Sequence, residues 1–248
     1  MIFNLIRTTA LYRLKAETSK TYGGYAWWIV EPLLELSVYY LLFKIILNRG
    51  GDDYISFLFC GILTWKWLAQ VIKVSSNAIV ANKGLVLNFS TKKIVYPLID
   101  ITVYTIRFLV IFMPTVLVIG VIYKSTNLLY LFPSLVSELI LISGVGIFLS
   151  SIVPFLPDMI KLIPVGLRVL FYPSGIIFDV NTLSPSIKSW VLLNPIVGMV
   201  GNFRFAAMGK GQFNWHNFLL VIFIGTVFAL LGLRILNNND KKYGKMGF

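Results

Sequence analysis

Long apolar runs alternate with short polar segments along almost the whole chain. Each run has close to the length that a membrane-spanning helix needs, because about 20 residues rising ~1.5 Å each cross a hydrocarbon core of ~30 Å. The six runs are 27–47, 54–74, 95–123, 128–153, 160–178 and 215–236. They are apolar on all sides, whereas the strands of a membrane barrel alternate in hydrophobicity over about ten residues. The pattern therefore predicts an all-α polytopic membrane protein with six transmembrane helices in a single transmembrane domain.

The first 25 residues differ from these runs, because basic and apolar side chains are mixed along them. This mixture predicts an N-terminal amphipathic helix that lies in the cytoplasmic interface and is ended by Gly23 and Gly24. The alternative is a basic segment that only sets the orientation of the chain.

Two segments between the runs are too long to be simple turns. The basic segment 75–93 contains a helix-like stretch and predicts a docking surface for a cytoplasmic partner. The segment 179–214 is interrupted by Pro185 and Pro195, so it predicts short re-entrant helices on the opposite side of the membrane. An ordinary surface loop with a hydrophobic foot is the alternative for the second segment.

The composition excludes a water-soluble domain. Hydrophobic residues make up 57% of the chain and charged residues 13%, whereas soluble domains have about 25% charged residues. The N-terminal segment lacks the apolar core and cleavage site of a secretory signal peptide. Cys60 and His216 are the only residues of their types, which excludes an intrachain disulfide and argues against a Cys/His metal site.

The net charge of +12 is unevenly distributed between the two sides of the predicted membrane domain. With the N-terminus inside, fourteen basic residues are cytoplasmic and six lie on the opposite side. The six are Lys44, Arg49, Lys124, Lys188, Arg204 and Lys210. The positive-inside rule therefore predicts that both termini are cytoplasmic. The basic excess also suits anionic lipid headgroups, and no feature indicates nucleic acid.

Charged residues within the apolar runs are candidates for a functional site. Glu31 and Glu35 are four residues apart and share one helix face, and Lys66, Arg107, Glu138 and Arg168 are also near membrane depth. An unpaired charge there costs at least ~2.5–3.5 kcal/mol, so these groups should form ion pairs or face a water-filled cavity. Ion pairs that only fix helix packing are the alternative to a role in transport.

Aromatic residues are abundant, and most of them suit the membrane interface or helix packing. Some could line a conduit, since aromatic rings offer a sugar flat apolar faces. The predicted substrate-channel residues are Trp27, Trp28, Glu31, Glu35, Tyr39, Trp65, Lys66, Phe171 and Tyr172.

Motifs of catalysis are absent from the sequence. It contains no phosphate-binding loop of the form G-x-x-x-x-G-K-[ST], no H-E-x-x-H and no G-x-S-x-G. The chain is therefore expected to be neither an ATPase nor another enzyme, and to hold no metal or cofactor of its own.

Several motifs occur in an order that is typical of one transporter family. They are the stretch 22–32 with its Tyr-Gly-Gly-Tyr-Ala-Trp-Trp run and closing Pro, the run 38–43, the element 61–67, the loop 77–85, and the segment 172–195 with Arg204. In this order the chain resembles the permease subunit of type-2 ABC exporters for cell-surface polysaccharides. The segment 155–161 is closer to capsule exporters than to O-antigen exporters.

The resemblance implies a homodimer in the bacterial inner membrane with a channel between its subunits. It also implies two copies of a cytoplasmic ATPase, which bind ATP and Mg²⁺ and dock on a coupling helix at Asn82, Lys83, Gly84 and Leu85. The cargo would be a lipid-linked polysaccharide, with lipid headgroup contacts at Arg7, Arg13, Lys15 and Lys20. The segment 179–214 would supply gating helices.

Two other functions fit the same pattern. A related permease for a drug or a small lipid would share the topology and the partner. The other is a membrane assembly subunit that transports nothing. Small residues such as Gly144, Gly146 and Ser150 would serve tight helix packing equally well in a transporter and in an assembly subunit.

Overall fold

The computed structural model describes residues 2–19, 22–48, 51, 53–88, 91–123 and 127–243, with the side chains of Tyr123 and Lys241 excepted. Every regular element in these ranges is helical. The α-helices are α1 (Ile2–Ser19), α2 (Ala26–Tyr40), α3 (Tyr54–Ser76), α4 (Ala78–Ala81), α5 (Lys83–Asn88), α6 (Val95–Tyr123), α7 (Leu131–Ile152), α8 (Met159–Phe171), α9 (Pro185–Val191), α10 (Pro195–Met208) and α11 (Trp215–Tyr243). The predicted all-α class is confirmed.

Four helical segments within the described ranges are long and apolar enough to cross a membrane. They are Tyr54–Ser76, Val95–Ile122, Leu128–Ile152 and Trp215–Asp240. They coincide with the second, third, fourth and sixth predicted spans. A fifth segment of sufficient length arises only if α9 and α10, which meet at 93°, are counted together.

The first and fifth predicted spans form shorter helices. α2 has 15 residues and continues into a π-helical segment, Leu41–Ile46. α8 has 13 residues and ends in a 3₁₀ turn, Tyr172–Ser174, so its length of about 20 Å is less than a bilayer core. The count of six spans stays a prediction.

α1 packs along α6 through one of its sides. Ala10 and Leu14 are buried, with Ile6 packed against the same core. Phe3 and Tyr12, however, are exposed. Apolar residues therefore occur both on the packed side and on the exposed surface of α1, and its amphipathic character stays a prediction. The expected break follows α1, where Gly24 adopts a φ of +46° that other residues rarely accept.

α3 lies at the centre of the bundle and contacts α2, α6, α7, α8 and α10. Most of its length is buried, as expected of a helix surrounded by others. α7 packs most extensively against α11, and two glycines meet at this contact: a side chain on Gly144 would overlap the backbone carbonyl of Gly225. Gly146 lies on another side of α7, against Ser75 of α3.

The two long connecting segments are partly helical. α3 extends to Ser76, so the predicted docking segment consists mainly of the short helices α4 and α5. The 179–214 segment contains a 3₁₀ turn, α9 and α10. Asn194 caps α10 by accepting a hydrogen bond from the Ile196 amide at 3.0 Å, which is the usual role of Asn before a first-turn Pro.

Candidate functional site

A cavity of about 530 Å³ lies between α2, α3, α6 and α8. It is open on one side and has both charged and aromatic walls. The lining residues are Trp28, Glu31, Pro32, Glu35, Tyr39, Leu63, Trp65, Lys66, Trp67, Ala69, Gln70, Lys73, Tyr104, Arg107, Phe108, Ile111, Pro164, Leu167, Arg168, Phe171 and Tyr172.

Helical spacing explains why these side chains meet. On α3, Lys66, Gln70 and Lys73 follow one another at intervals of four and three residues, so they share one face of the helix. The same intervals separate the lining residues of α6 and α8, and Glu31 and Glu35 of α2. Each helix therefore turns one side towards the cavity, and α3 contributes the widest set of side chains.

An ion-pair network crosses the cavity. Lys66 Nζ lies 3.0 Å from Glu31 Oε1 and 2.9 Å from Glu35 Oε1, which links α3 to α2. Arg107 Nη2 on α6 lies 3.2 Å from Glu31 Oε2, and its Nη1 lies 3.0 Å from Glu17 Oε1 on α1. The network thus connects four helices. It gives Lys66 the ion pairs that were expected for a charged residue within an apolar run.

Water screens this network, which limits its contribution to stability. The Glu31 side chain is 51% exposed, whereas that of Lys66 is 23% exposed. Exposed ion pairs contribute about 0–1 kcal/mol each. The guanidinium of Arg107 also lies 5.4 Å from the centre of a Trp28 ring, a cation–π contact. The main effect of the network is to set the charge and the helix positions around the cavity.

One part of the cavity wall is aromatic. The ring of Phe171 lies 5.6 Å from Tyr39, 5.5 Å from Trp65 and 5.6 Å from Tyr172, measured between centroids. Together these rings from α2, α3, α8 and the 3₁₀ turn that follows α8 form a continuous apolar surface with polar tips. Such a surface can stack against sugar rings without fixing them in one register.

The structure brings eight of the nine predicted channel residues to this cavity. The exception is Trp27, which is 53% exposed and is not among the lining residues. Sequence reasoning did not place Gln70 or Lys73 in the site, although their spacing along α3 could have indicated it, and it named Arg107 only as a charged residue near membrane depth. The assignment of the lining residues to a substrate channel stays a prediction.

Glu138 does not form the ion pair expected for a charged residue in an apolar run. Its side chain is fully buried, and neither carboxyl oxygen has a hydrogen-bond partner within the described residues. The physical reason is its position on α7, which does not border the cavity, so Lys66 and Arg107 pair elsewhere.

A second polar cluster joins α1, the docking segment and α6. Arg13 Nη1 lies 2.5 Å from Asp100 Oδ1, and Arg13 Nη2 donates to Asn82 Oδ1 at 2.8 Å. The Asp100 side chain is only 6% exposed. Asn82 also donates to the Ala78 carbonyl at 2.6 Å. Arg13 therefore holds the junction of α4 and α5 against the membrane helices.

The other predicted docking and headgroup residues lie near this cluster along the chain. Leu85 is 49% exposed, and a side chain on Gly84 would have no atom within 4 Å. Lys83 begins α5. Arg7 and Lys15 are exposed on α1, in contrast to Arg13, and Lys20 lies outside the described residues.

Arg204 organises the end of the bundle nearest to α9 and α10. Its guanidinium donates to the carbonyls of Phe57 at 3.2 Å, Gly175 at 2.7 Å and Ile176 at 2.8 Å. A side chain on Gly61 would lie 2.7 Å from Arg204 Nη2, so this glycine leaves room for the guanidinium. The contacts attach α10 to α3 and to the segment that follows α8.

No metal centre is found in the described part of the chain, where no three His, Cys, Asp or Glu residues cluster. The arrangement offers a charged and aromatic cavity, a polar cluster beside the docking segment, and the hydrogen bonds of Arg204 to three backbone carbonyls.

Comparisons with known proteins agree with this architecture. The chain is 25% identical over 256 residues to an O-antigen export system permease protein RfbA of Klebsiella pneumoniae, covering 99% of this chain and 95% of that protein. It is 28% identical over 209 residues to the polysialic acid transport protein KpsM of Escherichia coli, covering 80% and 79%. It is 25% identical over 196 residues to an RfbA protein of Myxococcus xanthus, covering 77% and 75%. A family model described as ABC-2 type transporter matches residues 8–208, so the chain belongs to this family.

Proposed function

We propose that this chain is the membrane-spanning permease of an ABC exporter that moves a lipid-linked cell-surface polysaccharide out of the cytoplasm. The observation that carries the proposal is the similarity to an O-antigen export permease over 99% of the chain. The aromatic and charged cavity supports it, because it combines stacking surfaces for sugars with polar groups. The cargo belongs to the capsule or O-antigen type.

The finer organisation belongs to the same proposal. α2 and α8 complete six spans in the bacterial inner membrane, with both termini in the cytoplasm. Two copies of the chain form a homodimer whose channel includes the cavity described above, and 179–214 gates its outer mouth. Arg7 and Lys15 contact lipid headgroups. Their exposure on α1 supports this role, as does the attraction of basic residues near a membrane to anionic lipids.

The energy for export comes from a partner. Two copies of a cytoplasmic ATPase bind ATP and Mg²⁺ and contact the segment from Asn82 to Leu85. When the ATPase closes on ATP, it displaces α4 and α5, and the contact of Asn82 with Arg13 transmits the displacement to α1 and α6. The space between α2 and α8 then widens. The chain itself breaks no bond and binds no cofactor.

We expect Leu85→Asp to uncouple ATP hydrolysis from export. Leu85 is half exposed on α5, and a charge there disrupts an apolar contact with the partner without disturbing the core. ATPase activity of the purified complex and export in cells are measured together, and export should fall while hydrolysis persists. Leu156→Asp is the matched control, since Leu156 is also exposed and lies outside the docking segment. Normal export with Leu85→Asp would contradict the docking assignment.

We expect Lys66→Gln to reduce export and Lys66→Gln with Glu35→Gln to restore it. The single change leaves Glu35 without its cation, whereas the double change returns the cavity to its original net charge. Stability should change by no more than about 1 kcal/mol, because these side chains are partly exposed. Export is measured in cells at matched protein levels. A double variant as impaired as the single one would indicate that Lys66 itself contacts the cargo.

The proposed function is tested by the location of the surface polymer in cells that lack this chain. Polymer and its lipid-linked precursor should accumulate in the cytoplasm and reach the surface when the gene is restored. Unchanged surface polymer would favour the export of a drug or small lipid. An assembly subunit would leave the polymer in place and would not co-purify with an ATPase.

A further inference from the structure

Two cations on the wall of the cavity lack an acidic partner within the part of the chain that the structure describes. Lys73 of α3 and Arg168 of α8 both line it, and no ion pair to either is present among the residues that the structure describes. We propose that Lys73 and Arg168 form a binding subsite for the phosphate group of the lipid anchor that carries the polysaccharide. The inference rests on the proposed function and assigns one part of the cargo to one part of the cavity.

The charges of the other lining residues make these two cations distinctive. Glu31 and Glu35 are the carboxylates that line the cavity. Both form ion pairs with Lys66, and Glu31 also forms an ion pair with Arg107. With those pairs formed, the charges of Lys73 and Arg168 remain, so this part of the wall carries an excess of positive charge that favours an anion.

The position of the two cations suits entry from the cytoplasmic side. Lys73 lies in the last turn of α3, just before the docking segment. Lys73 and Pro164 also line an adjoining cavity of about 450 Å³, and Arg168 is one helical turn beyond Pro164. The carboxylate in the adjoining cavity, Asp100, is bonded to Arg13 and does not compensate Lys73. Lys73 therefore lies where the two cavities meet, and Arg168 lies one turn of α8 away from that junction.

The chemistry of the two side chains indicates phosphate. A phosphodiester or pyrophosphate has several acceptor oxygens and one or more negative charges, so cations from two helices can bind one group. The guanidinium of Arg168 matches two phosphate oxygens at once, whereas Lys73 acts as a flexible point charge. The aromatic wall around Phe171 borders the same cavity. A phosphate held at the cations can therefore have its attached sugar against the aromatic rings.

The test is binding of a polyprenyl pyrophosphate to the complete chain in phosphatidylcholine nanodiscs, with its ATPase where the two co-purify. Tryptophan fluorescence is the readout, since Trp28, Trp65 and Trp67 line the cavity. Lys73→Gln with Arg168→Gln should weaken binding at least about tenfold, which is a large effect for two charge-assisted contacts. Lys73→Arg, which keeps the charge, should bind nearly as well as the original chain.

Matched controls separate this subsite from a general effect of charge. Lys161→Gln removes a cation from α8, and Arg234→Gln removes one from α11. Neither residue lines either of the two cavities described above. Both variants should bind the lipid normally. Equal binding by the Lys73/Arg168 double variant and the original chain would overturn the proposal, as would equal binding of a polyprenol without phosphate.

The source of the phosphate is identified by comparing three probes. If the double variant loses binding of polyprenyl pyrophosphate only, the site is assigned to that anchor. If it loses binding of phosphatidylglycerol only, the site is assigned to a phospholipid anchor. If inorganic pyrophosphate binds in a manner that depends on Lys73 and neither lipid binds, the ligand is a free phosphate compound. That outcome would overturn the anchor assignment.

Export assays of the same variants keep the two proposals distinguishable. If the original chain restores export and the double variant both exports and binds lipid normally, the subsite is wrong and the proposed function stands. If deletion of the chain leaves surface polymer unchanged, the proposed function is wrong, whereas phosphate binding is still decided by the nanodisc measurement.

Discussion

Arg13→Gln is expected to destabilise the protein by about 3 kcal/mol, near the lower limit for breaking a buried ion pair. Arg13 is the ion-pair partner of Asp100, whose side chain is only 6% exposed. Removal of the guanidinium leaves a buried carboxylate without its cation and also breaks the contact with Asn82. The lower limit applies because the Arg13 side chain is 35% exposed and water can enter the space it leaves.

The effect is measured as thermal unfolding of the purified chain in detergent, where a loss of this size lowers Tm by about 6–12 °C. Arg13→Gln with Asp100→Asn should recover most of the stability, because it removes the buried charge together with its partner. Arg7→Gln is the control, since Arg7 is exposed on the same helix. An unchanged Tm for Arg13→Gln would show that the ion pair does not hold α1 against α6.

Gly225→Ala is expected to separate α7 from α11 and to lower stability by about 1–3 kcal/mol, the usual cost of overpacking. An added side-chain carbon would lie 2.7 Å from the backbone of Ile140 and Leu141. Backbone atoms cannot rotate away as a flexible side chain can, so the helices must move apart. Gly232→Ala meets the backbone of Phe148 in the same way, and the double variant should lose more than either single one.

Gly166→Ala provides the matched control for this prediction. Gly166 also lies within an α-helix, but a side-chain carbon there meets no atom within 4 Å. This change should be neutral or stabilising by about 0.5–1 kcal/mol, because alanine favours a helix over glycine. Fluorescence-detected size-exclusion chromatography after heating compares the variants. A Gly225→Ala protein as stable as Gly166→Ala would contradict close packing of α7 and α11.

Much of the candidate site could be anticipated from the sequence, since helical spacing alone places Glu31 and Glu35 on one face of α2. The charged and aromatic residues in apolar runs also pointed to a cavity. Lys73, at the end of the predicted span 54–74, was counted only among the fourteen cytoplasmic basic residues. Its place on the cavity wall depends on which face of α3 meets α2 and α8, and periodicity along one helix does not determine the neighbours of that helix.

The sequence by itself determined that the chain is helical and membrane-embedded, because long apolar runs have few other stable conformations in a bilayer. The tertiary structure decided which charges meet. Lys66 pairs with Glu31 and Glu35, whereas Glu138 is buried with no hydrogen-bond partner among the described residues. Spacing along one helix defines the faces of that helix only. The pairing of charges on different helices depends on the rotation and neighbours of each helix, which arise when the whole bundle packs.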